Sequence, residues 1–173
     1  MWSYSEGRAK DFYYSDPIFD GNTVFFYLIS RNFEWDTLQD LALFKIGATI
    51  GYSYGDEFDR LEKIGHLNVS RVSRDEQNIL MLLNGRVEIV PIEKEVGYGL
   101  LQKHLTSKQR ELITHHKKPM KTIPYHLILS KSIKENERLI QRFNAALKEF
   151  KASGKYEQLM LNSREGKYEP TSN

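Results

Sequence analysis

Segments rich in β-branched and aromatic residues alternate with amphipathic, charge-dotted segments through the middle of the chain, and this alternation limits the fold more than any other feature of the sequence. Residues 45–50, 69–72 and 87–92 read as strands. Each is followed by a helical stretch: 57–63, the run after Ser73-Arg74-Asp75-Glu76, and about 94–104. Ser73 with Glu76 has the spacing of a capping box, and the helix behind it carries Ile79, Leu80, Leu82 and Leu83 before Asn84-Gly85 stops it. A β-α-β-α-β-α order predicts an α/β unit, a parallel sheet with helices on both faces, over roughly 30–118.

Other elements precede, extend and follow this alternation. Residues 23–29 form a strand bounded by turn residues, a short helix follows at 36–41 with Asp36 as its cap, and 106–113 is one more short helix. Residues 115–122 are a basic, proline-containing connection, and 124–130 read as a strand. Leu139, Ile140, Phe143, Ala146, Leu147 and Phe150 recur at helical spacing, so 133–153 is an amphipathic helix that Gly154 ends. A short helix at 155–161 and a polar tail at 162–173 complete the chain. The flanks, 1–22 and 121–173, hold one or two strands and a long helix without enough sheet to cover it, and about 70 residues are marginal as an independent fold.

Several function classes are excluded by composition. The 25 basic and 23 acidic residues are interspersed, so there is no electrostatic footprint for nucleic acid. With no cysteine there is neither a disulfide framework nor a thiolate nucleophile, and this fits both the cytosol and a periplasm. The apolar runs fall far short of the ~20 residues of a membrane span. Residues 1–8 show no basic region followed by an apolar core, so no signal peptide is visible: either the protein is cytosolic or its beginning is missing. His115-His116 beside Lys117-Lys118 is a poor metal-binding arrangement, no metal site or cofactor is expected, and no Gly-x-Ser-x-Gly elbow exists.

One glycine-containing junction and three side chains remain as candidates. Gly47, Gly51 and Gly55 lie around a strand-to-helix junction, where backbone amides and the helix dipole favour an anion. Ser53 at that junction either caps the helix or donates its hydroxyl to a ligand. Glu93 ends a predicted parallel strand, where open α/β sheets place ligand groups; it either holds an ammonium or simply stabilises the start of the next helix. Arg8 precedes Phe12-Tyr13-Tyr14-Ser15-Asp16-Pro17, and a guanidinium grips a carboxylate with two parallel hydrogen bonds when it is not merely solvated.

The ordered set Ser3-Tyr4-Ser5-Glu6-Gly7-Arg8 with the aromatic-Ser-Asp-Pro run, Lys45-Ile46-Gly47-Ala48-Thr49-Ile50-Gly51-Tyr52-Ser53, Asp75-Glu76-Gln77 with Leu82-Leu83-Asn84-Gly85-Arg86-Val87-Glu88, and Ser153-Gly154-Lys155-Tyr156 resembles the periplasmic solute-binding proteins of family 3, which capture polar amino acids for ABC importers. The resemblance nearly fills the chain. It implies a periplasmic-binding-protein-like type II fold, with one complete parallel-sheet lobe and an incomplete second lobe: 1–22 a remnant of lobe 1, 23–121 lobe 2, and 122–173 the return to lobe 1. In the family, the positions matching Arg8 and Ser53 hold the ligand's α-carboxylate, that matching Ser3 contacts the ligand, and that matching Glu93 holds the α-ammonium. Tyr52 and Glu93 depart from the family's usual small hydroxyl residue and Asp.

The resemblance further implies a periplasmic location for an intact member, a permease as partner, and lobes that close on the ligand by hinge motion. It implies a chain beginning inside lobe 1 at an internal methionine, hence weak or no amino-acid binding. An apolar face on the helix at 133–153 then becomes available for homodimerisation or segment exchange. Two other uses of the fold stay open: a dehydratase-like enzyme with Glu93 as general acid, and a ligand-sensing regulatory module.

Overall fold

In a computed structural model, residues 1–168 are described. In chain order the elements are β1 (Trp2–Ser3), α1 (Glu6–Ala9), β2 (Phe12–Tyr14), β3 (Phe19–Leu28), a 3-10 helix (Leu38–Leu43), β4 (Lys45–Thr49), α2 (Asp56–Lys63), β5 (Asn68–Val72), α3 (Asp75–Leu83), β6 (Ile89–Glu93), α4 (Lys94–His104), α5 (Ser107–Arg110), β7 (Ile113–His115), β8 (Lys121–His126), β9 (Ile128–Ser130), α6 (Glu135–Ala152) and α7 (Lys155–Arg164). The chain divides into two compact units: Asn22–Lys121, and Met1–Gly21 together with 122 onward. The last residues of the polar tail, 169–173, lie outside the described residues.

The sheet of the 22–121 unit is mixed, which corrects the expected parallel sheet. β4 runs parallel to both β5 and β6, whereas β3 lies antiparallel to β6, pairing Thr23 with Glu93 and Tyr27 with Ile89, and β7 is antiparallel to β3. The physical reason lies in the connections. α2 and α3 are crossovers that force β4, β5 and β6 to run in one direction. β3 reaches β4 through a loop and one 3-10 turn, and so is free to run the other way.

Both faces of this sheet are covered. Phe25, Ile46, Ala48 and Ile89 face Leu41, Phe58 and Leu61 of the 3-10 helix and α2; Val24, Phe26, Val90 and Ile92 face Ile79, Leu82 and Leu101 of α3 and α4. Alternation along β3 sends successive side chains to opposite cores, so a central strand reads as an unbroken apolar run. Trp35 closes the first core edge-on to Phe25, its indole N–H donating to Nδ1 of His116 at 3.1 Å.

Several local expectations are corrected. The helix expected at 36–41 is a 3-10 helix capped at Thr37, with the Asp40 carboxylate accepting from the amides of Asp36 and Thr37 at 3.0 and 2.8 Å. The capping pair at α3 is Ser73 and Arg74 with Gln77, not Glu76: Gln77 Oε1 accepts from the Ser73 hydroxyl and the Arg74 amide. The stretch at 106–113 is a single turn, α5, and Ile113 already belongs to β7, where its side chain enters the second core. The strand expected at 124–130 is two strands, β8 and β9, with Leu127 between them.

In the other unit, β1 pairs with β8 and β2 with β9, all antiparallel. Ser15 is buried in this unit. Its hydroxyl accepts from the Leu127 amide at 3.0 Å, and its carbonyl accepts from the ring Nδ1 of buried His126 at 2.8 Å, which places a proton on that nitrogen. The next amide, of Asp16, donates to Asn144 Oδ1 at 2.9 Å and so ties α6 to the Ser-Asp-Pro turn. Ile140 is the buried residue of α6, whereas Leu139 and Phe150 are 49% and 36% exposed, an apolar face of the kind expected from the sequence.

Candidate functional site

The C-terminal ends of β4, β5 and β6 point the same way, with Thr49 ending β4 and Glu93 ending β6. Gly47 is not part of the turn there: it lies within β4, where a Cβ would meet Asn78 Oδ1 at 2.7 Å. The turn proper runs from Ile50 to Gly55. Gly51 and Gly55 have φ of +83° and +111°, conformations that L side chains rarely adopt, and a Cβ at either would meet nothing within 4 Å. The chain here approaches open space.

Ser53 is exposed and does not cap α2 directly, since the cap position is Gly55. Its hydroxyl accepts from the Gly55 amide at 3.3 Å and donates to Asp59 Oδ2 at 2.5 Å; Asp59 Oδ1 takes the Tyr54 amide at 3.1 Å. Arg71, on β5, holds the turn from beneath. Its guanidinium meets Glu62 through Nε and Nη2 at 2.7 and 2.6 Å, and donates from Nη1 to the carbonyls of Thr49 and Tyr52 at 2.7 and 3.1 Å. These bonds to Glu62, opposed by burial, raise the Arg71 pKa further. Below the turn Thr49 donates to Asp75 and accepts from Asn78 Nδ2 at 3.1 Å, while the Thr49 amide donates to the Tyr54 hydroxyl at 2.8 Å. Burial pushes the Tyr54 phenol up.

Glu93 occupies the last position of β6 and also caps α4, its Oε2 accepting from the Val96 amide at 2.9 Å. The other oxygen, Oε1, is buried and makes no well-formed hydrogen bond. Burial raises the pKa of this carboxyl above the usual range, against smaller opposing contributions from the backbone N–H groups of Val96, Glu95 and Asn22. A group so placed gains most from a cation delivered to Oε1.

Ser3 and Arg8 belong to the other unit and meet each other: Arg8 Nη1 donates to the Ser3 carbonyl at 3.3 Å, and the guanidinium lies 5.0 Å from the centre of the Trp2 ring. Ser53 and Glu93 share the strand-end edge of the 22–121 unit. Asp59 and Arg71 were missed by the sequence reading, and Thr49 and Asp75, which lie in stretches that carry the resemblance, were given no role in the site. Only the position of Thr49 at a strand end marked it; the other three depend on tertiary contacts. Among the described residues no group of three His, Cys, Asp or Glu side chains could hold a metal, and no helix is long and apolar enough to cross a membrane.

No family model and no curated protein matches the chain. Solved structures do. The chain is 19% identical, at a TM-score of 0.71, to a protein assigned as the second substrate-binding domain of an amino-acid ABC transporter of Streptococcus pneumoniae, covering 94% of this chain and 69% of that one. It is 20% identical to substrate-binding domain 2 of GlnP from Lactococcus lactis in its open conformation (TM-score 0.68; 92% and 65% covered). It is 18% identical to the unliganded L-cystine solute receptor of Neisseria gonorrhoeae (TM-score 0.68; 87% and 59% covered). The chain thus spans about two thirds or less of the length of these proteins, and 66% of a T. maritima ArgBP mutant that it also matches. At these identities the likeness establishes architecture alone: a mixed α/β fold that matches periplasmic-binding-protein type II domains over the part of them that the chain spans.

Proposed function

We propose that this chain belongs to the substrate-binding component of an ABC importer and recognises the two charged ends of a free amino acid, with the periplasm as its place of work and the permease as its partner. Glu93 takes the α-ammonium. The α-carboxylate is assigned to Arg8 and to Ser53, and a ligand contact to Ser3, whose carbonyl accepts from Arg8 Nη1. The observation that carries this reading is the buried Glu93 Oε1, a carboxylate oxygen at a strand's C-terminal end without a well-formed hydrogen bond. An ammonium supplies a well-aligned donor and a balancing charge together, where the N–H groups of Glu95 and Asn22 act on the carboxyl without a well-formed bond to Oε1. The architecture shared with amino-acid receptors supports the same assignment.

A panel of amino acids titrated into the protein by isothermal calorimetry tests this. The expected result is weak binding of at least one, in keeping with a chain that spans only part of the length of the proteins it matches, and a further loss on the order of tenfold to a hundredfold in Arg8→Ala, the loss of one charge-assisted grip. Unchanged affinity in Arg8→Ala removes Arg8 from the site. The raised Glu93 pKa supports a second reading, a dehydratase-like enzyme in which this carboxyl is the general acid. Mass spectrometry of small cyclic carboxylic acids incubated with the protein separates the two: a mass loss of one water favours the enzyme.

A further inference from the structure

The turn assigned to the ligand's carboxylate is already holding a carboxylate of the chain's own. Asp59 places one oxygen on the Ser53 hydroxyl at 2.5 Å and the other on the Tyr54 amide at 3.1 Å. One hydroxyl donor and one amide donor received by the two oxygens of one carboxylate is the pattern a ligand carboxylate would adopt there. Arg71 adds to the attraction, its guanidinium bonded to the Tyr52 carbonyl at 3.1 Å and biased toward the charged form by Asp59 among its neighbours. The face beyond is open: Tyr52 is 55% exposed, and nothing lies within 4 Å of a Cβ built at Gly51 or Gly55.

We propose that Asp59 is a specificity-determining residue of this site, an internal carboxylate that competes with a ligand carboxylate for Ser53 and Tyr54. This rests on the amino-acid-binding reading. Two carboxylates cannot share the same two donors, and like charges at contact distance repel. A ligand carboxylate therefore binds the turn only when Asp59 rotates away, and even then the aspartate's charge stays nearby. One carboxylate balanced by an ammonium is tolerated; a second is penalised. The ligand class this selects is an α-amino acid with a neutral or cationic side chain, and the class it rejects is the dicarboxylic amino acids.

The test uses acetate, the carboxylate alone, so that it does not depend on finding the amino acid. Acetate is titrated into the full chain and into its Asp59→Asn and Asp59→Ala variants at neutral pH, following the backbone amide resonances of Ser53, Tyr54 and Gly55 by NMR. Native spectra elsewhere in the chain establish that each variant has folded, and either variant suffices. The expected result is half-saturation at least tenfold lower in a variant than in the wild type, with no such difference for acetamide, which has the same shape without the charge. Adding Ser53→Ala to the variant abolishes the gain. Equal acetate response in wild type and variants, or none in any of them, overturns the proposal. The amino-acid panel is a separate measurement, so a protein that binds amino acids but shows no acetate difference retains the function and loses only the role of Asp59.

Discussion

The side-chain oxygen of Asn78 stands 2.7 Å from where the Cβ of any other residue at position 47 would be, so Gly47 is a glycine because Asn78 needs the room. Val87 and Val90 close the same space with methyl carbons at 3.1 and 3.2 Å. Gly47→Ala forces β4 and α3 apart, an overpacking expected to cost about 1–3 kcal/mol of stability. Urea unfolding measures it, and a midpoint equal to that of the wild type would mean that Asn78 has room to move aside.

Arg71 and Glu62 make a bidentate pair with only about a quarter of each side chain exposed, 25% and 24%. The same guanidinium holds two carbonyls of the 49–52 segment. Arg71→Ala is expected to cost about 2 kcal/mol, the scale of a hydrogen bond to a charged group. Arg71→Lys keeps the charge but not the fork and should recover only part. Amide hydrogen exchange reports the local consequence: faster exchange at Tyr52 and Tyr54 in both variants.

Glu93 makes stability depend on pH with a definite sign. Its folded pKa lies above the ordinary value of 4.5, so between the two values the folded chain holds a proton that the unfolded chain has released. The contribution of this group is fully present below the unfolded value and is lost as pH rises through the folded one. Glu93→Gln removes that loss while keeping an acceptor for the Val96 amide. The stability of the variant relative to wild type should rise from about pH 4 to about pH 7, a span bracketing the usual carboxylate range. A difference that stays constant across this span contradicts the assignment of burial as the main cause.

On α6 the two neighbours Leu139 and Ile140 differ sharply, 49% against 6% exposed. Ile140→Ala should cost about 2–5 kcal/mol, as a buried large-to-small change does. Leu139→Ala should fall within about 0.5 kcal/mol of the wild type if its face is free in solution. A large loss in dilute Leu139→Ala would mean that this face is covered in solution; light scattering would then identify self-association.

The sequence made some of this architecture legible and left other parts hidden for physical reasons. The helix at Lys94–His104 and the strands β4, β5 and β6 were readable because each is long enough to display its period between clear boundaries. β1 and β2 were not, since two or three residues carry no period. The antiparallel direction of β3 depends on sheet neighbours 60 to 70 residues away, such as Glu93 opposite Thr23, and no local signal encodes it. Glu93 was found through its place at a strand end, and its capping of α4 was one of the two roles the sequence allowed. Ser53 was found too, but its partner was missed: Asp59 meets it only because the turn reverses the chain six residues earlier, which needs the positive φ of Gly51 and Gly55.

The central claim, that Glu93 and the Ser53 turn serve the two ends of one zwitterion, is tested most directly by NMR titration of the chain with amino acids, which detects binding even when it is weak. The account predicts that an α-amino acid shifts the amides of Glu93 and of Ser53–Tyr54 along one saturation curve, and that neither its methyl ester nor its N-acetyl derivative does so. If no amino acid moves either set, or if the ester and the N-acetyl form act as well as the parent, recognition of the paired charges is not what this fold does here.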